Sequence, residues 1–347
     1  MYRFLIRPLL FLLPPETIHH LLVGFLRILC KVPGATALIR RMYYVTDPRL
    51  RTEFLGMSFD HPVGLAAGFD KNASVTREFH AFGFSFVEIG TVTPLGQPGN
   101  PKPRSFRLPA DKALVNRMGF NNGGVQAAAE RLAGKRPKGL VLGGNLGKNT
   151  QTPNDNAVGD YETVFRSLYD RVDYFVVNVS CPNISDLRKL QDQEGLERIL
   201  GRLVTVRNQQ TVRKPLLLKI SPDLNDQQLD ETLEIIRKLG VDGIVATNTT
   251  VARTGLKSDP ETVASVGKGG LSGAPLTARS LEMVRAISQK TGGTLPIIAV
   301  GGIMSVEDAL AMFDAGASLI QLYTGFIYGG PALAKRINRA LLARMDQ

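Results

Sequence analysis

The stretch Val176-Val177-Asn178-Val179-Ser180-Cys181-Pro182-Asn183 changes abruptly from branched apolar side chains to two amides that flank a thiol and a proline. Apolar residues can build a buried strand, but only polar groups such as those at its end can move protons or orient a ligand. The same pattern recurs along the chain as an apolar run, a polar or glycine-rich end, and then roughly thirty residues of helical character. The chain therefore reads as a repeating strand–helix unit.

Eight such apolar runs follow Thr46, and all of them end in polar or glycine residues. They are residues 62–67, 86–89, 140–142, 174–177, 216–218, 243–246, 296–300 and 319–322. Continuous apolar strands that alternate with helices indicate a parallel sheet covered on both faces. Eight units predict an α/β fold, a (β/α)₈ barrel, in which all eight polar ends meet at one mouth. A doubly wound open sheet is the alternative, and it explains the eight polar ends less well.

The composition is that of a soluble globular protein, with 44% apolar and 21% charged residues in 347. The two cysteines, Cys30 and Cys181, provide no disulfide framework. A net charge of +11 is compatible with nucleic acid or an anionic membrane as a partner, or with a generally basic proteome. Residues 1–51 carry eight Lys or Arg against two acidic residues, and this concentration favours a membrane surface over nucleic acid.

The first 45 residues predict a separate helical extension of two short helices, ahead of a domain spanning residues 46–347. Apolar residues repeat at helical spacing in the second part of the extension, at Ile18, Leu21, Leu22, Phe25, Leu26 and Leu29. Such a stripe is either packed in a core or laid in a membrane interface, and the nearby positive charge supports the second alternative. No run reaches the ~20 apolar residues that a membrane-spanning helix requires. Residues 85–125 contain five prolines and predict a long loop with room for a hairpin.

Glycines after the last two strands, at Gly301-Gly302 and Tyr323-Thr324-Gly325, lie where barrels often bind phosphate. Together with the glycine-rich residues 269–273 they predict a phosphate-bearing cofactor. Lys71 and Lys219 follow apolar runs, where each is either a surface lysine or a fixed charge that stabilises an anion.

Five asparagines fall in the predicted mouth loops, and their planar amides suit a flat ligand with alternating N–H and C=O groups. They are Asn116, Asn145, Asn178, Asn183 and Asn248. Cys181 is the ionisable group of this cluster, and it is either an inert thiol or a general base. No histidine is spaced to form a zinc site with it, and no partner for covalent catalysis is evident, so we predict no metal.

Five stretches resemble dihydroorotate dehydrogenases, and the resemblance extends over nearly the whole chain. They are Ala66-Ala67-Gly68-Phe69-Asp70-Lys71, Glu88-Ile89-Gly90-Thr91-Val92-Thr93-Pro94, Asn116-Arg117-Met118-Gly119-Phe120-Asn121, Ile244-Val245-Ala246-Thr247-Asn248-Thr249-Thr250 and Gly270-Leu271-Ser272-Gly273. The N-terminal extension makes the chain similar to the membrane-associated, quinone-reducing branch of that family.

The resemblance implies FMN as cofactor and oxidation of (S)-dihydroorotate to orotate in pyrimidine biosynthesis, with hydride transfer to flavin N5. The implied FMN contacts are Ala67, Gly68, Lys71, Thr91, Asn145, Asn178, Lys219, Thr247, Gly273, Gly302, Tyr323 and Thr324. The implied substrate contacts are Lys71, Asn116, Arg117, Met118, Gly119, Phe120, Asn178, Asn183, Asn248 and Thr249. Cys181 occupies the position of the general base, and His19, Arg107 and Tyr323 resemble the lining of a quinone tunnel.

Two features depart from the resemblance. The quinone-reducing branch usually has serine at the base position, and cysteine is typical of the soluble branch, which uses fumarate or NAD. Residues 184–188 also lack the usual Thr-Pro-Gly ahead of Leu-Arg. Because the soluble branch lacks the extension, we expect a quinone acceptor and peripheral attachment to the cytoplasmic face of the inner membrane. A soluble acceptor, a flavin enzyme acting on RNA and a non-catalytic flavin-binding module are the alternatives, and we expect no nucleic-acid partner.

Overall fold

The computed structural model describes residues 2–180 and 193–347. Its strands are numbered here in chain order. They are β1 Thr52–Phe54, β2 Met57–Phe59, β3 Val63–Leu65, β4 Phe86–Val92, β5 Leu95–Gln97, β6 Ser105–Leu108, β7 Ala113–Asn116, β8 Asn122–Gly124, β9 Val141–Leu146, β10 Tyr174–Asn178, β11 Leu216–Ile220, β12 Gly243–Ala246, β13 Gly270–Gly273, β14 Ile297–Val300 and β15 Leu319–Leu322.

The α-helices are numbered in the same way, and a π-helical segment, Tyr2–Ile6, precedes the first of them. They are α1 Arg7–Phe11, α2 Pro15–Leu29, α3 Ala35–Tyr43, α4 Thr76–Ala81, α5 Val125–Leu132, α6 Ala157–Leu168, α7 Gln193–Asn208, α8 Asp226–Leu239, α9 Pro260–Val266, α10 Thr277–Lys290, α11 Val306–Asp314, α12 Thr324–Gly329 and α13 Leu333–Met345. Short 3₁₀ turns occupy Pro48–Leu50, Pro109–Asp111, Asn154–Asn156 and Ala274–Leu276.

Eight parallel strands close into a barrel in the order β10-β11-β12-β14-β15-β3-β4-β9. Each of them overlaps one of the eight apolar runs, so the predicted (β/α)₈ barrel is confirmed and the open sheet is wrong. The register places Asn178 of β10 beside Lys219 of β11. The polar ends of neighbouring strands therefore meet at one mouth, as the parallel arrangement requires.

The strands form because their side chains are buried on both faces. All five residues of β10 and all five of β11 are buried. Outward-facing side chains such as Phe175 pack against the helices, while Phe86 and Tyr174 fill the inside of the barrel. The helices begin and end at local signals as well. Asn225 and Gln228 form a capping box at the start of α8, and Gly240 ends it in the left-handed conformation.

A hairpin of β1 and β2 lies ahead of the barrel strands and was not predicted. Its Phe54 and Phe59 are buried in the same cluster as Phe86. The hairpin therefore packs against residues of the barrel interior. The glycine and proline in the segments beside its strands did not suggest this packing.

The prediction of a long loop over residues 85–125 was wrong in part. The hairpin exists as β6 and β7, but β7 also pairs with β13, so that Asn116 lies opposite Gly270. A second antiparallel pair joins β5 to β8. Leu108, Val115 and Leu271 form a small buried cluster of their own, and this cluster supplies the apolar contacts that hold the added sheet together.

The N-terminal segment is helical, as predicted, but it contains the three helices α1, α2 and α3 where two were expected. No residue of α1 or α2 is buried, and α3 buries only Ile39. Large apolar side chains are exposed along the segment, including Phe4, Leu9, Leu12, Leu21, Phe25 and Ile28. Within the described residues, no single helix is long and apolar enough to cross a membrane, but the bent pair Tyr2–Phe11 and Pro15–Leu29 together has the necessary length and composition.

Candidate active site

A cavity opens at the carboxyl ends of the barrel strands and encloses about 1020 Å³, its open mouth included. Eleven of the twelve residues expected to hold FMN line it, and they are Ala67, Gly68, Lys71, Thr91, Asn178, Lys219, Thr247, Gly273, Gly302, Tyr323 and Thr324. So do most residues expected to hold the substrate, which are Lys71, Asn116, Met118, Gly119, Phe120, Asn178, Asn248 and Thr249. Cys181 and Asn183 lie outside the described residues.

Asn178 is the centre of a hydrogen-bonded network that spans three strands. Its side-chain N–H groups donate to Thr91 Oγ1 at 3.0 Å and to Asn145 Oδ1 at 3.3 Å. Its Oδ1 accepts from the side chain of Asn248 at 3.2 Å and from the hydroxyl of Ser180 at 3.4 Å. Because both ends of the amide are engaged, its plane is fixed in one orientation at the floor of the cavity.

Asn145 is buried behind the cavity wall, and it does not line the cavity. Its amide donates to Glu88 Oε1 at 2.7 Å, and Gln321 donates to Glu88 Oε2 at 2.6 Å. The buried Glu88 carboxylate therefore orients both amides, and Gln321 does line the cavity. Sequence reasoning missed Glu88 and Gln321, although an acidic residue inside the apolar run of β4 was a visible signal of a buried polar site.

The cavity is electropositive because two lysines line it and, among the described residues, no carboxylate does. Lys219 lies on β11 beside Asn178, and only 6% of its surface is exposed. Lys71 is half-buried, and its ammonium donates to Asn121 Oδ1. Two positive charges at the end of the barrel suit a ligand that carries or develops negative charge.

Glycines form the end of the cavity that follows β13, β14 and β15. Gly302 has φ +71°, and a Cβ there would collide with the backbone of Thr277. A Cβ at Gly325 would likewise collide with the carbonyl of Ile303. Only glycine allows these backbone segments to approach each other so closely, and the resulting wall presents main-chain groups instead of side chains.

Arg117 contributes no side chain to the cavity. Its guanidinium donates to Val266 O and, at 3.1 Å, to Pro103 O, and it stacks over the ring of Phe106 with 4.7 Å to the ring centroid. Arg117 therefore anchors the backbone of residues 116–120 from behind, while its neighbours face the cavity.

The three residues expected to line a quinone tunnel lie between the extension and the barrel. The rings of His19 and Tyr323 both pack edge-on against Phe69, with centroid distances of 5.4 and 5.1 Å. Partial burial, followed by the charges of His20 and Lys71, lowers the pKa of His19 to about 4, so its ring is neutral at physiological pH. Burial raises the pKa of Tyr323 to about 12. Arg107 lies elsewhere on this border, where it donates to Leu13 O at 2.6 Å.

Comparison of the chain with known proteins identifies its family. The sequence profile described as dihydroorotate dehydrogenase matches residues 49–345. The chain belongs to the dihydroorotate dehydrogenase family. A relative from Christiangramia forsetii is 52% identical over 99% of both chains, and one from Thermobifida fusca is 50% identical over 100% of this chain and 93% of its own. Both are named dihydroorotate dehydrogenase (quinone).

Solved structures of the family agree with the fold. A dihydroorotate dehydrogenase from Eimeria tenella, crystallised with ferulenol, superposes with a TM-score of 0.85 at 36% identity. The match covers 96% of this chain and 92% of the other. Among the described residues, no group of three or more His, Cys, Asp or Glu side chains is arranged to hold a metal ion.

Proposed function

We propose that this member of the dihydroorotate dehydrogenase family oxidises (S)-dihydroorotate to orotate in pyrimidine biosynthesis and delivers the electrons to a membrane quinone. The observation that carries the proposal is the set of oriented amides and lysines at the mouth of the barrel, in a chain that the family profile matches over residues 49–345. Dihydroorotate is a small ring with alternating N–H and C=O groups and one carboxylate. Asn116, Asn178 and Asn248 can read the ring edge, and Lys71 can pair with the carboxylate.

The residues present fit FMN as the cofactor. The glycine wall at Gly273 and Gly302 would bind the phosphate through main-chain groups, and Lys219 would offset negative charge on the flavin ring. Gln321 Oε1 is buried without a hydrogen-bond partner among the described residues, on a side chain that lines the cavity, and so can accept a bond from a ligand N–H. When bound, FMN supplies hydride acceptance and transfer of electrons to a second substrate.

The protein's own residues position the substrate and move its proton. Asn178 holds the ring in one orientation because Thr91 and Asn145 fix the amide plane. We assign to Cys181 the removal of the proton from the carbon next to the ring carbonyl, and to Asn183 a further contact with the ring. A thiol has an ordinary pKa of about 8.5, far below that of an alcohol, so it can act as a base closer to neutral pH than serine can.

The extension supports a quinone as the acceptor. Its exposed apolar residues form a surface suited to the edge of a lipid bilayer, and its positive charge suits anionic headgroups. We assign to His19, Arg107 and Tyr323 the polar lining of the route by which the quinone reaches the barrel. Peripheral attachment of residues 1–45 at the cytoplasmic face of the inner membrane completes the proposal.

A panel of acceptors tests the proposal. Full-length holoenzyme is reduced with dihydroorotate without oxygen, and the rate of reoxidation is measured with a ubiquinone analogue, a menaquinone analogue, fumarate and NAD. We expect dihydroorotate to bleach the flavin and a quinone to restore its colour fastest. The fastest restoration by fumarate or NAD would support the soluble-type reaction, which the cysteine at position 181 favours.

The role of Cys181 is tested separately by Cys181→Ser. We expect the variant to reduce its flavin more slowly near neutral pH and to recover part of the rate at high pH, because the alcohol is a poorer base. An unchanged pH–rate profile in stopped-flow measurements would remove Cys181 from this role.

A further inference from the structure

Residues 97–104, here called the bracing loop, hold the backbone of residues 117–120, here called the substrate loop. The carbonyl of Arg104 accepts from the N–H of Arg117 at 2.9 Å, and the side chain of Asn100 donates to Arg117 O at 2.9 Å. The N–H of Asn100 donates to Met118 O at 3.1 Å. Gln97 donates to the carbonyls of residues 119 and 120 at 3.0 and 3.2 Å. Every residue of the substrate loop is therefore bonded to the bracing loop.

The substrate loop depends on this support because its conformation is locally unfavourable. Phe120 has φ +51°, a left-handed conformation that a bulky side chain rarely adopts. Gly119 has φ +69°, and a Cβ there would lie 2.7 Å from Asn100 Oδ1. The shape of this part of the cavity is thus set by the bracing loop and not by the preferences of the substrate loop itself.

Arg104 joins the bracing loop to helix α2 of the extension. Its side chain is 7% exposed. Its Nη1 donates to Pro98 O at 2.5 Å and to Asn100 O at 2.8 Å. Its Nη2 donates to Glu16 Oε1 at 2.6 Å, and its Nε donates to Glu16 Oε2 at 3.1 Å. The same guanidinium therefore fixes the curve of the bracing loop and forms an ion pair with α2 through two hydrogen bonds.

Glu16 is suited to this role by its position. It lies in the first turn of α2, its side chain is 11% exposed, and the bond from Arg104 lowers its pKa, so that it is a carboxylate at physiological pH. His19 follows it by three residues on the same helix. The end of α2 that borders the proposed quinone route is therefore the end that is fastened to the bracing loop.

We infer that the Glu16–Arg104 pair couples the docking of α2 to the shape of the substrate loop, so that the extension sets the affinity for the substrate. Both are positioning residues, acting through the bracing loop without touching the substrate. The inference rests on the proposed function, since it assigns residues 116–120 to substrate binding. Because coupling between two sites is reciprocal, occupation of the cavity also favours the docked position of α2.

The test is a double-mutant cycle in the full-length holoenzyme, with Glu16→Gln, Arg104→Lys and the pair combined. Orotate affinity is measured from the flavin spectrum. KM and kcat are measured with dihydroorotate and an excess of a soluble artificial acceptor, and amide exchange is measured over the bracing loop and the substrate loop. We expect each single variant to weaken orotate about tenfold, which is about 1.4 kcal/mol. KM should rise more than kcat falls, and exchange should quicken in both segments.

The combined variant should be no worse than Arg104→Lys alone, because that substitution already removes the link that Glu16→Gln breaks. Lys102→Gln is the matched control, since Lys102 Nζ lies 3.7 Å from the same oxygen of Glu16 but its side chain is 66% exposed. We expect it to leave orotate affinity within twofold of the wild type.

Unchanged orotate affinity in Glu16→Gln, or single effects that simply add in the combined variant, would overturn the coupling. If Arg104→Lys does not fold, Glu16→Gln and the amide exchange decide the matter. Failure of the wild type to bind orotate would instead contradict the proposed function. The exchange of the two segments still reports whether the pair braces them.

Discussion

Strand β10 and helix α2 are both rich in apolar residues, yet they differ completely in how far those residues are buried. All five residues of β10 are buried, whereas none of the fifteen residues of α2 is. The barrel is held by its core. The extension packs only Val23 and Leu26 of α2 partly against that core, and it adds polar anchors such as Glu16–Arg104 and the hydroxyl of Tyr2, which donates to Ile327 O at 2.7 Å. An apolar pattern therefore identifies a surface that avoids water, but not what covers it.

The largest expected effect compares one phenylalanine from each region. Phe165 is fully buried among Tyr169 and Phe175, while Phe25 is 58% exposed on α2. Phe165→Ala should lower the free energy of unfolding by about 3–5 kcal/mol, because it leaves a cavity in the core. Phe25→Ala should change it by less than about 0.5 kcal/mol. Urea denaturation measures both, and similar losses in the two variants would mean that α2 is packed as tightly as the barrel.

The next prediction compares the two ends of one barrel strand. Lys219 reaches the cavity at the carboxyl end of β11, and Lys214 precedes the strand and donates to the carbonyls of Tyr169 and Val172. Lys219→Met should reduce the rate of flavin reduction by on the order of a hundredfold and lower the FMN content, because a fixed positive charge is lost from the site.

Lys214→Met is the control for this prediction. It removes a half-buried lysine that lies just before the opposite end of the same strand, so it should cost stability without changing the rate per bound flavin. Equal losses of rate in the two variants would show that both act through the fold alone.

A third prediction concerns acid stability, to which the barrel contributes through His61. Burial, with the charges of His80 and Arg40, lowers the pKa of the fully buried His61 from 6.5 to about 3. Between pH 3 and pH 6.5, His61 binds a proton in the unfolded chain but not in the folded protein. The contribution of neutral His61 to the free energy of unfolding is therefore complete above pH 6.5. It decreases by about 1.4 kcal/mol per pH unit as the pH falls.

His61→Asn tests this contribution, since the asparagine oxygen can still accept from the N–H of Val63, as His61 Nδ1 does at 3.3 Å. Urea midpoints measured between pH 6.5 and 4 should fall less steeply in the variant than in the wild type. Equal slopes would show that other groups account for the acid sensitivity.

The barrel and most of its mouth could be predicted because local sequence determines them. A strand buried on both faces is a visible apolar run, and the polar residues that end it mark the mouth. The roles of Glu88 and Gln321 could not be predicted, since they depend on β4 and β15 both bordering β3. The added sheet over residues 105–116 likewise forms with a strand about 150 residues further along the chain. Contacts between distant segments leave no periodic signal.

The smallest expected effect concerns the exposed apolar face of α2 and tests whether lipid covers it. The combined substitution Leu21→Ser and Phe25→Ser removes two side chains that are 56% and 58% exposed, so the fold should tolerate it. If this face enters a lipid interface, binding to vesicles that contain anionic lipid should weaken about tenfold, since partly burying two such side chains contributes roughly 1–3 kcal/mol. Val212→Ser is the matched control, because Val212 is 64% exposed but lies between α7 and β11, outside the extension. Co-sedimentation with vesicles measures all three proteins, and an equal loss from the Val212 variant would show that the extension has no special role in membrane contact.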